Sequence, residues 1–150
     1  MNKETLQLYI DGSYRAKYNR GSYGVLAVTK DSKSVIASGV QMDVSNNIME
    51  LTAMITALEC VRDYNLDTHY DVEIFCDSEY VLNGLQKWSP DWIRRGWLTS
   101  SGHNVKNLEL WKKLVAVSKE VQVKLTWVKG HAGTALHNEI DKIVAKLSES

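Results

Sequence analysis

The sequence predicts a mixed α/β (α+β) fold, in which helices pack on one five-stranded mixed sheet in the order βββαβαβα. Two hydrophobic periods alternate along the chain, a period of two typical of strands and a period of 3.6 typical of helices. Short polar turns join the first three strand-like segments, whereas helical segments separate the later ones. The 150 residues are 44% hydrophobic and 24% charged, which excludes a disordered or fibrous protein and favours a single domain over residues 1–150.

The first three strands are predicted to form an antiparallel meander. Leu6, Leu8 and Ile10 alternate with more polar neighbours, as in a strand with one buried face. The segments 23–29 (YGVLAVT) and 34–42 (SVIASGVQM) are also typical of strands. The polar turn at 30–33 between them is short enough for an antiparallel connection.

Helices and strands then alternate. Ser45, Asn46 and Asn47 offer N-caps for a helix. Its apolar face comprises Leu51, Met54, Ile55, Leu58 and Val61. Residues 71–77 (DVEIFCD) predict the fourth strand, with short helical material at 78–87. Residues 108–115 predict an amphipathic helix, 121–127 the fifth strand and 135–147 the closing helix.

Charge is balanced overall but not locally. Eighteen basic and eighteen acidic residues give a formal net charge of zero, so bulk charge does not indicate a nucleic-acid-coating protein. The window 86–113, however, contains six basic and two acidic residues. The neutral total can thus include a local basic surface beside an acidic one.

The two cysteines and the apolar segments indicate the compartment. Cys60 and Cys76 are too few for a disulfide scaffold or a zinc site, and we interpret both as buried thiols of a reducing compartment. No apolar run approaches the roughly 18 residues of a membrane span, and no signal peptide is recognisable. We therefore expect a cytoplasmic protein without a membrane partner. We also expect it to act as a monomer without an obligate protein partner.

Two acidic residues lie at the carboxyl ends of predicted strands, where α/β proteins bind their ligands. Asp11 ends the first predicted strand and Asp77 ends the fourth, and sites of this fold class lie at the carboxyl ends of strands. Glu50 falls in the first turn of a helix, and Asp141 lies in the last helix, ten residues after His131. Carboxylates gathered at one point repel one another, and oxygen ligands of this kind suit Mg²⁺ or Mn²⁺.

From the residues alone, each acid also has a purely structural interpretation. An Asp before Gly or Ser is often a turn residue, as at 11 and 77. Glu50 could complement the dipole of its helix, and Asp141 could lie on a solvated helix face. Spacing does not decide between these interpretations.

Four short strings, in order, resemble type 1 ribonuclease H of the bacterial kind. They are YIDGSY at 9–14, NNIMELTA at 46–53, FCDSEYV at 75–81 and WVKGHAG at 127–133. The segment 77–114 resembles the bacterial branch, and this resemblance implies a basic, Trp-rich protrusion at about 86–106. The resemblance implies a ribonuclease H-like fold and a sequence-independent endonuclease that cuts the RNA strand of RNA–DNA hybrids. It implies two Mg²⁺ (or Mn²⁺) ions per site, with 5′-phosphate and 3′-hydroxyl products.

The resemblance also assigns roles residue by residue. The positions of the four metal-binding carboxylates are occupied by Asp11, Glu50, Asp77 and Asp141, and that of the catalytic histidine by His131. Substrate contacts are implied for the following residues: Gly12, Ser13, Ser45, Asn46, Asn47, Lys87, Trp92, Arg94, Arg95 and Trp97. The tryptophans could instead form the hydrophobic base of the protrusion, an interpretation that we favour for Trp88 and Trp111.

Three departures from the family pattern affect these expectations. The last motif is one residue short. Counted forward from His131, Asp141 falls on the position of the family's last aspartate and His137 on that of its asparagine. Glu139 is a less favoured alternative to Asp141. Glu79 stands where a glutamine commonly contacts RNA. Asp91 and Ile93 make the protrusion less basic, so we expect a lower hybrid affinity than is usual in the family.

Other functions remain as alternatives. A catalytically weak module that only binds RNA–DNA hybrids would retain the Trp-rich basic segment, but it would be expected to lose carboxylates, and all four are present. A DNA resolvase or integrase of the same fold would carry similar acids but would be expected to lack WVKGHAG and the protrusion.

Overall fold

A computed structural model describes residues 3–129 and 135–149, and its first three strands form an antiparallel meander. The strands are β1 (Glu4–Arg15), β2 (Arg20–Val28) and β3 (Lys33–Met42). A 3₁₀ turn at Ala16–Tyr18 reverses the chain between β1 and β2, and it ends at Asn19 with a left-handed φ of 46°. Asn tolerates this conformation better than most residues, which suits it to the turn.

Two parallel strands complete the sheet. β4 (Tyr70–Cys76) pairs with β1, and β5 (Lys124–Trp127) pairs with β4, giving the order β3-β2-β1-β4-β5. The predicted five-stranded mixed sheet is confirmed. β1 and β4 lie inside the sheet, with β1 paired to a neighbour on either side.

Six helices surround the sheet in the described part of the chain. Their bounds are α1 (Asn46–Asp63), α2 (Leu66–His69), α3 (Glu79–Asn83), α4 (Ser89–Arg94), α5 (Leu108–Ser118) and α6 (Ala135–Leu147). Ser45 caps α1 by accepting a hydrogen bond from the Ile48 amide, as predicted for one of the three candidate caps. The predicted order βββαβαβα is confirmed, with three short helices added to it. None of these helices is both long and apolar enough to cross a membrane.

The helices cover opposite faces of the sheet because side chains along each strand alternate. Leu6, Leu8 and Ile10 of β1 belong to the larger core cluster, in which α1 and α5 pack on one face. Tyr9 points to the other face, where it packs in a second cluster with Ile140 and Val144 of α6. Odd-numbered residues of β1 therefore face α6.

Three predicted strand bounds were wrong. β2 begins at Arg20 rather than at residue 23. β1 does not end near Asp11 but continues to Arg15, because the ladder with β2 extends to the pair Arg15–Arg20. β5 begins at Lys124 rather than at residue 121. In the preceding segment the Gln122 amide donates to Asp67 Oδ2 at 2.8 Å instead of joining the ladder.

The two cysteines differ in burial. Cys76 is buried, as predicted, and burial raises the pKa of its thiol to about 12. Cys60 is only half-buried, so the prediction of a buried side chain was wrong there. Both are free thiols, consistent with the absence of a disulfide scaffold.

The predicted protrusion is anchored by an aromatic cluster. A π-helical turn at Gly84–Trp88 leads directly into α4. Trp111 of α5 is fully buried and its indole donates to the Tyr80 hydroxyl at 3.1 Å. The Trp92 ring centroid lies 5.1 Å from that of Trp111. Trp111 thus forms the base of the protrusion, as we favoured, whereas Trp88 is 39% exposed.

Gly84 is the position at which this cluster tolerates no side chain. A Cβ there would lie 1.9 Å from Cη2 of Trp111, which has no room to move. We expect Gly84→Ala to reduce the free energy of unfolding by about 1–3 kcal/mol, the usual cost of overpacking a core. Urea denaturation of the variant measures this loss. Gln86→Ala, an exposed change in the same turn, is the matched control and should stay within about 0.5 kcal/mol of the parent. Equal stability of the two variants would contradict the packing described.

Candidate active site

The parallel pairing of β1 with β4 brings Asp11 and Asp77 side by side. The last paired residues are Tyr9 and Phe75, whose rings stack with centroids 4.6 Å apart. Asp11 follows two residues later within β1, and Asp77 directly follows β4, so that an oxygen of each lies within 4.8 Å of the other. Adjacent strands are about 4.8 Å apart, which places the two carboxylates within reach of one ion.

A glycine lets β1 approach the first turn of α1. A Cβ on Gly12 would lie 2.3 Å from the Met49 carbonyl carbon, so only glycine fits between the strand and the helix. The close approach brings Glu50, the residue after Met49, to the site. The family resemblance assigned Gly12 to substrate contact through its backbone, and the structure adds this packing requirement.

Two hydrogen bonds orient Glu50. Asn46 Nδ2, one helical turn earlier, donates to Glu50 Oε1 at 2.7 Å. The Ser78 hydroxyl donates to Glu50 Oε2, and the same hydroxyl caps α3 by accepting from the Val81 amide at 3.2 Å. The sequence analysis missed Ser78 as a site residue; the signal available was an N-cap serine directly after Asp77.

The shortened last motif places Asp141, not Glu139, at the site. Asp141 and His137 lie one turn apart on α6 and therefore share a helix face. The Asp141 carboxyl interacts with Asp11. Glu139 points away, and its carboxylate forms an ion pair with Lys33 Nζ of β3 at 3.0 Å. This geometry supports the alignment with Asp141 in register.

The acidic residues perturb one another strongly. Burial, a hydrogen bond shared with Asp141, and the charges of Asp77 and Asp141 together raise the pKa of Asp11 to about 9, although the Gly12 amide partly opposes them. Burial also raises the pKa of Glu50, while the hydrogen bonds from Ser78 and Asn46 oppose that change. Without a cation, the protein thus favours a protonated Asp11.

Comparison with known proteins identifies the family. The RNase H family model matches residues 3–149. A ribonuclease H of Shewanella halifaxensis is 37% identical over 145 residues, which are 97% of this chain and 86% of the relative. The chain belongs to the ribonuclease H family.

Solved structures agree with this assignment. LC9-RNase H1, described as a type 1 RNase H with the type 2 active-site motif, has a TM-score of 0.79 and 26% identity, covering 99% of this chain and 74% of that one. A foamy viral protease-reverse transcriptase in complex with RNA/DNA hybrid has a TM-score of 0.75 at 16% identity, covering 97% of this chain and 20% of that one. The second likeness shows the shared ribonuclease H fold.

The chemistry of the donor set fits the divalent cations used by ribonuclease H. Asp11 is only 6% exposed, and its Oδ2 atom is buried without a hydrogen-bond partner. An unpaired buried carboxylate oxygen is costly, and a bound cation would satisfy it. One potential ligand atom from each of Asp11, Asp77 and His137 lies within 4.8 Å of the other two.

The minor-groove residues expected for a ribonuclease H lie beside the acids. Gly12 and Ser13 lie in β1, while Asn46 and Asn47 open α1 after its cap, Ser45. Asn46 is exposed, although its amide is engaged with Glu50. His131, the expected catalytic histidine, lies outside the described residues.

The residues expected to contact substrate from the protrusion divide into exposed cations and packed rings. Lys87, Arg94 and Arg95 are exposed. Arg94 forms an ion pair with Asp91, one turn earlier on α4. Trp92 and Trp97 are half-buried and pack together at 6.4 Å between ring centroids, so the structure supports a packing role for both beside any substrate contact.

The raised pKa of Asp11 leads to a prediction about stability. The unfolded chain releases this proton near pH 4, whereas the folded protein holds it up to about pH 9, so the wild type loses stability as pH rises between these values. Without divalent ions at pH 7, the free energy of unfolding of Asp11→Asn should therefore exceed that of the wild type by at least about 1.4 kcal/mol. This is the equivalent of a tenfold change in proton affinity.

The advantage of this variant should shrink to near zero by about pH 4, when the unfolded wild type is also protonated. Denaturant titrations at several pH values with chelator present measure the difference. Asp31→Asn, which removes an exposed turn carboxylate, is the control for loss of one negative charge. A variant that is less stable than the wild type at pH 7 would contradict the account of the site.

Proposed function

We propose that this chain hydrolyses the RNA strand of RNA–DNA hybrids, with Asp11, Glu50, Asp77 and Asp141 holding two Mg²⁺ or Mn²⁺ ions. Endonuclease action on hybrids follows from membership of the ribonuclease H family. The observation that carries the assignment to these residues is the buried, unpartnered Oδ2 of Asp11 beside Asp77. Monomeric action in the cytoplasm and a single domain over residues 1–150 stay predictions of the sequence.

Divalent ions bound here would supply charge neutralisation, an activated water nucleophile and stabilisation of the departing 3′ oxygen. The protein's own contribution is positioning. Asn46 and Ser78 fix both oxygens of Glu50, and Gly12 holds β1 against α1. Preorganised charge of this kind needs little rearrangement during the reaction.

We propose that the hybrid lies across the acids with its minor groove on Asn46 and Asn47. Double-stranded RNA and hybrids expose 2′-hydroxyls in a wide, shallow minor groove, which distinguishes them from DNA. The exposed cations Lys87, Arg94 and Arg95 of the protrusion would neutralise phosphates. We assign His131 to proton transfer or product release, as its position in the family motif implies.

Cleavage of matched duplexes tests the function. An end-labelled RNA–DNA hybrid should be cut in its RNA strand with Mg²⁺ or Mn²⁺ and left intact with chelator, while RNA–RNA and DNA–DNA duplexes persist. Asp77→Asn and Asp141→Asn should each slow cleavage by at least about 10²-fold, as expected when charge stabilisation is lost. Glu139→Gln is the matched control and should retain activity, because Glu139 is turned towards Lys33.

The same assay distinguishes the proposed nuclease from the alternative, a catalytically weak hybrid-binding module. A hybrid that is bound but not cut with either ion would support the catalytically weak binding module. Loss of activity in Glu139→Gln with full activity in Asp141→Asn would reverse the assignment of the last carboxylate.

The ion pair on α4 leads to a prediction about hybrid affinity. Asp91 forms an ion pair with the guanidinium of Arg94. Arg94 is one of the three exposed cations that we propose contact phosphates of the hybrid. We expect Asp91→Asn to bind hybrid several-fold more tightly at low salt, and to steepen the slope of log K against log salt by about one, the value for one added phosphate contact.

Fluorescence anisotropy with a labelled hybrid, in chelator to prevent cleavage, measures both quantities. Glu120→Gln is the matched control: it removes one negative charge from the ion pairs of Arg62, which lies at the opposite end of α1 from Glu50 and stays paired with Asp63. If both variants changed the slope equally, the effect would reflect overall charge and not the protrusion.

A further inference from the structure

Two residues with left-handed backbone meet beside the start of α1. Asn19 ends the turn between β1 and β2 with a φ of 46°, and Asp43 follows β3 with a φ of 57°. Residues other than glycine rarely adopt this conformation, although Asn and Asp tolerate it best. Such residues persist where their surroundings hold them, and they are frequent at sites that clamp a ligand. This pair therefore invites a functional explanation.

A short chain of hydrogen bonds joins the two turns. Asn19 Nδ2 donates to Asp43 Oδ1 at 2.6 Å, and the Tyr14 hydroxyl of β1 donates to Asn19 Oδ1 at 2.8 Å. Both polar atoms of the Asn19 amide are thus engaged. Hydrogen bonds to carboxylates are stronger than those between neutral groups. The two bonds attach Asp43 to the β1–β2 hairpin, although Asn19 and Asp43 are 24 positions apart in the chain.

Asp43 leads directly into the residues proposed to contact the minor groove. Ser45, two residues later, caps α1, and Asn46 and Asn47 are the first residues of that helix. The body of α1 is fixed by other contacts, because its apolar face from Leu51 onwards is buried in the larger core. The bond from Asn19 therefore acts on the segment 43–47 and not on the helix as a whole.

We propose that Asn19 is a positioning residue for substrate: by holding Asp43, it keeps the segment 43–47 in the geometry that contacts the minor groove of the hybrid. This inference rests on the proposed function, because it concerns the same substrate. A segment that is ordered before binding loses less entropy when the complex forms. Without the bond we expect a weaker complex but unchanged chemistry, because Glu50 keeps its hydrogen bond from Ser78.

Two simpler roles make different predictions. If the bond only joined two turns, its loss would lower the free energy of unfolding and leave the affinity for hybrid unchanged. If the exposed Asp43 carboxylate only repelled phosphates of the hybrid, any neutral residue at this position would tighten binding. Variants of Asn19 and Asp43 distinguish both roles from positioning.

The first variant, Asn19→Gly, removes the amide but keeps a residue that adopts left-handed φ freely. Fluorescence anisotropy with a labelled RNA–DNA hybrid in chelator should give a Kd about three- to tenfold above that of the wild type, the usual effect of one hydrogen bond. The slope of log K against log salt should not change, because no cation is lost. With Mg²⁺, KM should rise similarly and kcat should stay within about twofold. Equal Kd values for the two proteins would overturn the proposal.

Asn65→Gly is the matched control. Asn65 also has a left-handed φ, of 52°, but it precedes α2, beyond the far end of α1, and its side chain makes no capping hydrogen bond. The substitution makes the same backbone change there, and its Kd for hybrid should match that of the wild type. If Asn65→Gly weakened binding as much as Asn19→Gly, backbone freedom would explain the effect and the proposal would be wrong.

Variants of Asp43 separate position from charge. Asp43→Asn keeps an oxygen that can accept from Asn19 and a residue that tolerates left-handed φ, so its Kd should not exceed that of the wild type. Asp43→Ala loses both properties, and its Kd should rise as in Asn19→Gly. The double variant Asn19→Gly/Asp43→Ala should bind no more weakly than either single variant, because both break the same bond. Tighter binding by Asp43→Ala would identify the carboxylate as merely repulsive and overturn the proposal.

Measuring binding apart from cleavage separates this inference from the proposed function. Wild-type protein that binds the hybrid but cuts it with neither Mg²⁺ nor Mn²⁺ would contradict the proposed hydrolysis, while the Kd values of wild type and Asn19→Gly still decide the role of Asn19. Wild-type protein that does not bind the hybrid would overturn both.

Discussion

The candidate active site depends on the register between β1 and β4. Tyr9 pairs with Phe75 and stacks on it, and this pairing sets Asp11 beside Asp77 two residues later. A slip of one residue would turn every side chain of β1 to the wrong face, so apolar packing on both faces fixes the register. Leu8, which is fully buried, therefore helps to fix the relative position of Asp11 and Asp77.

The scaffold offsets the repulsion that the acids introduce. Two ionised carboxylates about 4 Å apart would repel by about 4 kcal/mol at an effective dielectric constant of about 20, a cost that is reduced while Asp11 stays protonated. Each fully buried Leu or Ile contributes roughly 1.5–3 kcal/mol, so a few core residues balance one such pair. The core achieves this from both sides: α1 packs on one face with Leu51 and carries Glu50, and α6 packs on the other with Ile140 and carries Asp141.

The order of elements could be predicted from the sequence, because hydrophobic period is a local property. Short motifs, which are also local, singled out the four acids on which the proposed function rests. The length of β1 could not be predicted, since Gly12 and Ser13 have little strand preference and only pairing with β2 extends the strand beyond them. The bond from Ser78 to Glu50 was equally hidden, because the two residues are 28 positions apart and meet only after α1 docks. Sequence counting proposed the register of Asp141, but the ion pair of Glu139 with Lys33 shows where the competing acid goes.

The unpaired Oδ2 of Asp11 couples the stability of the fold to the binding of an ion. An arginine placed against this oxygen would stabilise the apo fold, but it would also compete with the cation for the same lone pairs. Leaving the oxygen unpaired lowers the stability of the apo protein and preserves the binding energy for the ion. A cation at a free concentration of one hundred times its Kd would stabilise the folded state by about 2.7 kcal/mol. In the proposed site, the atom that weakens the fold in the absence of metal is therefore the atom through which a bound ion would restore stability.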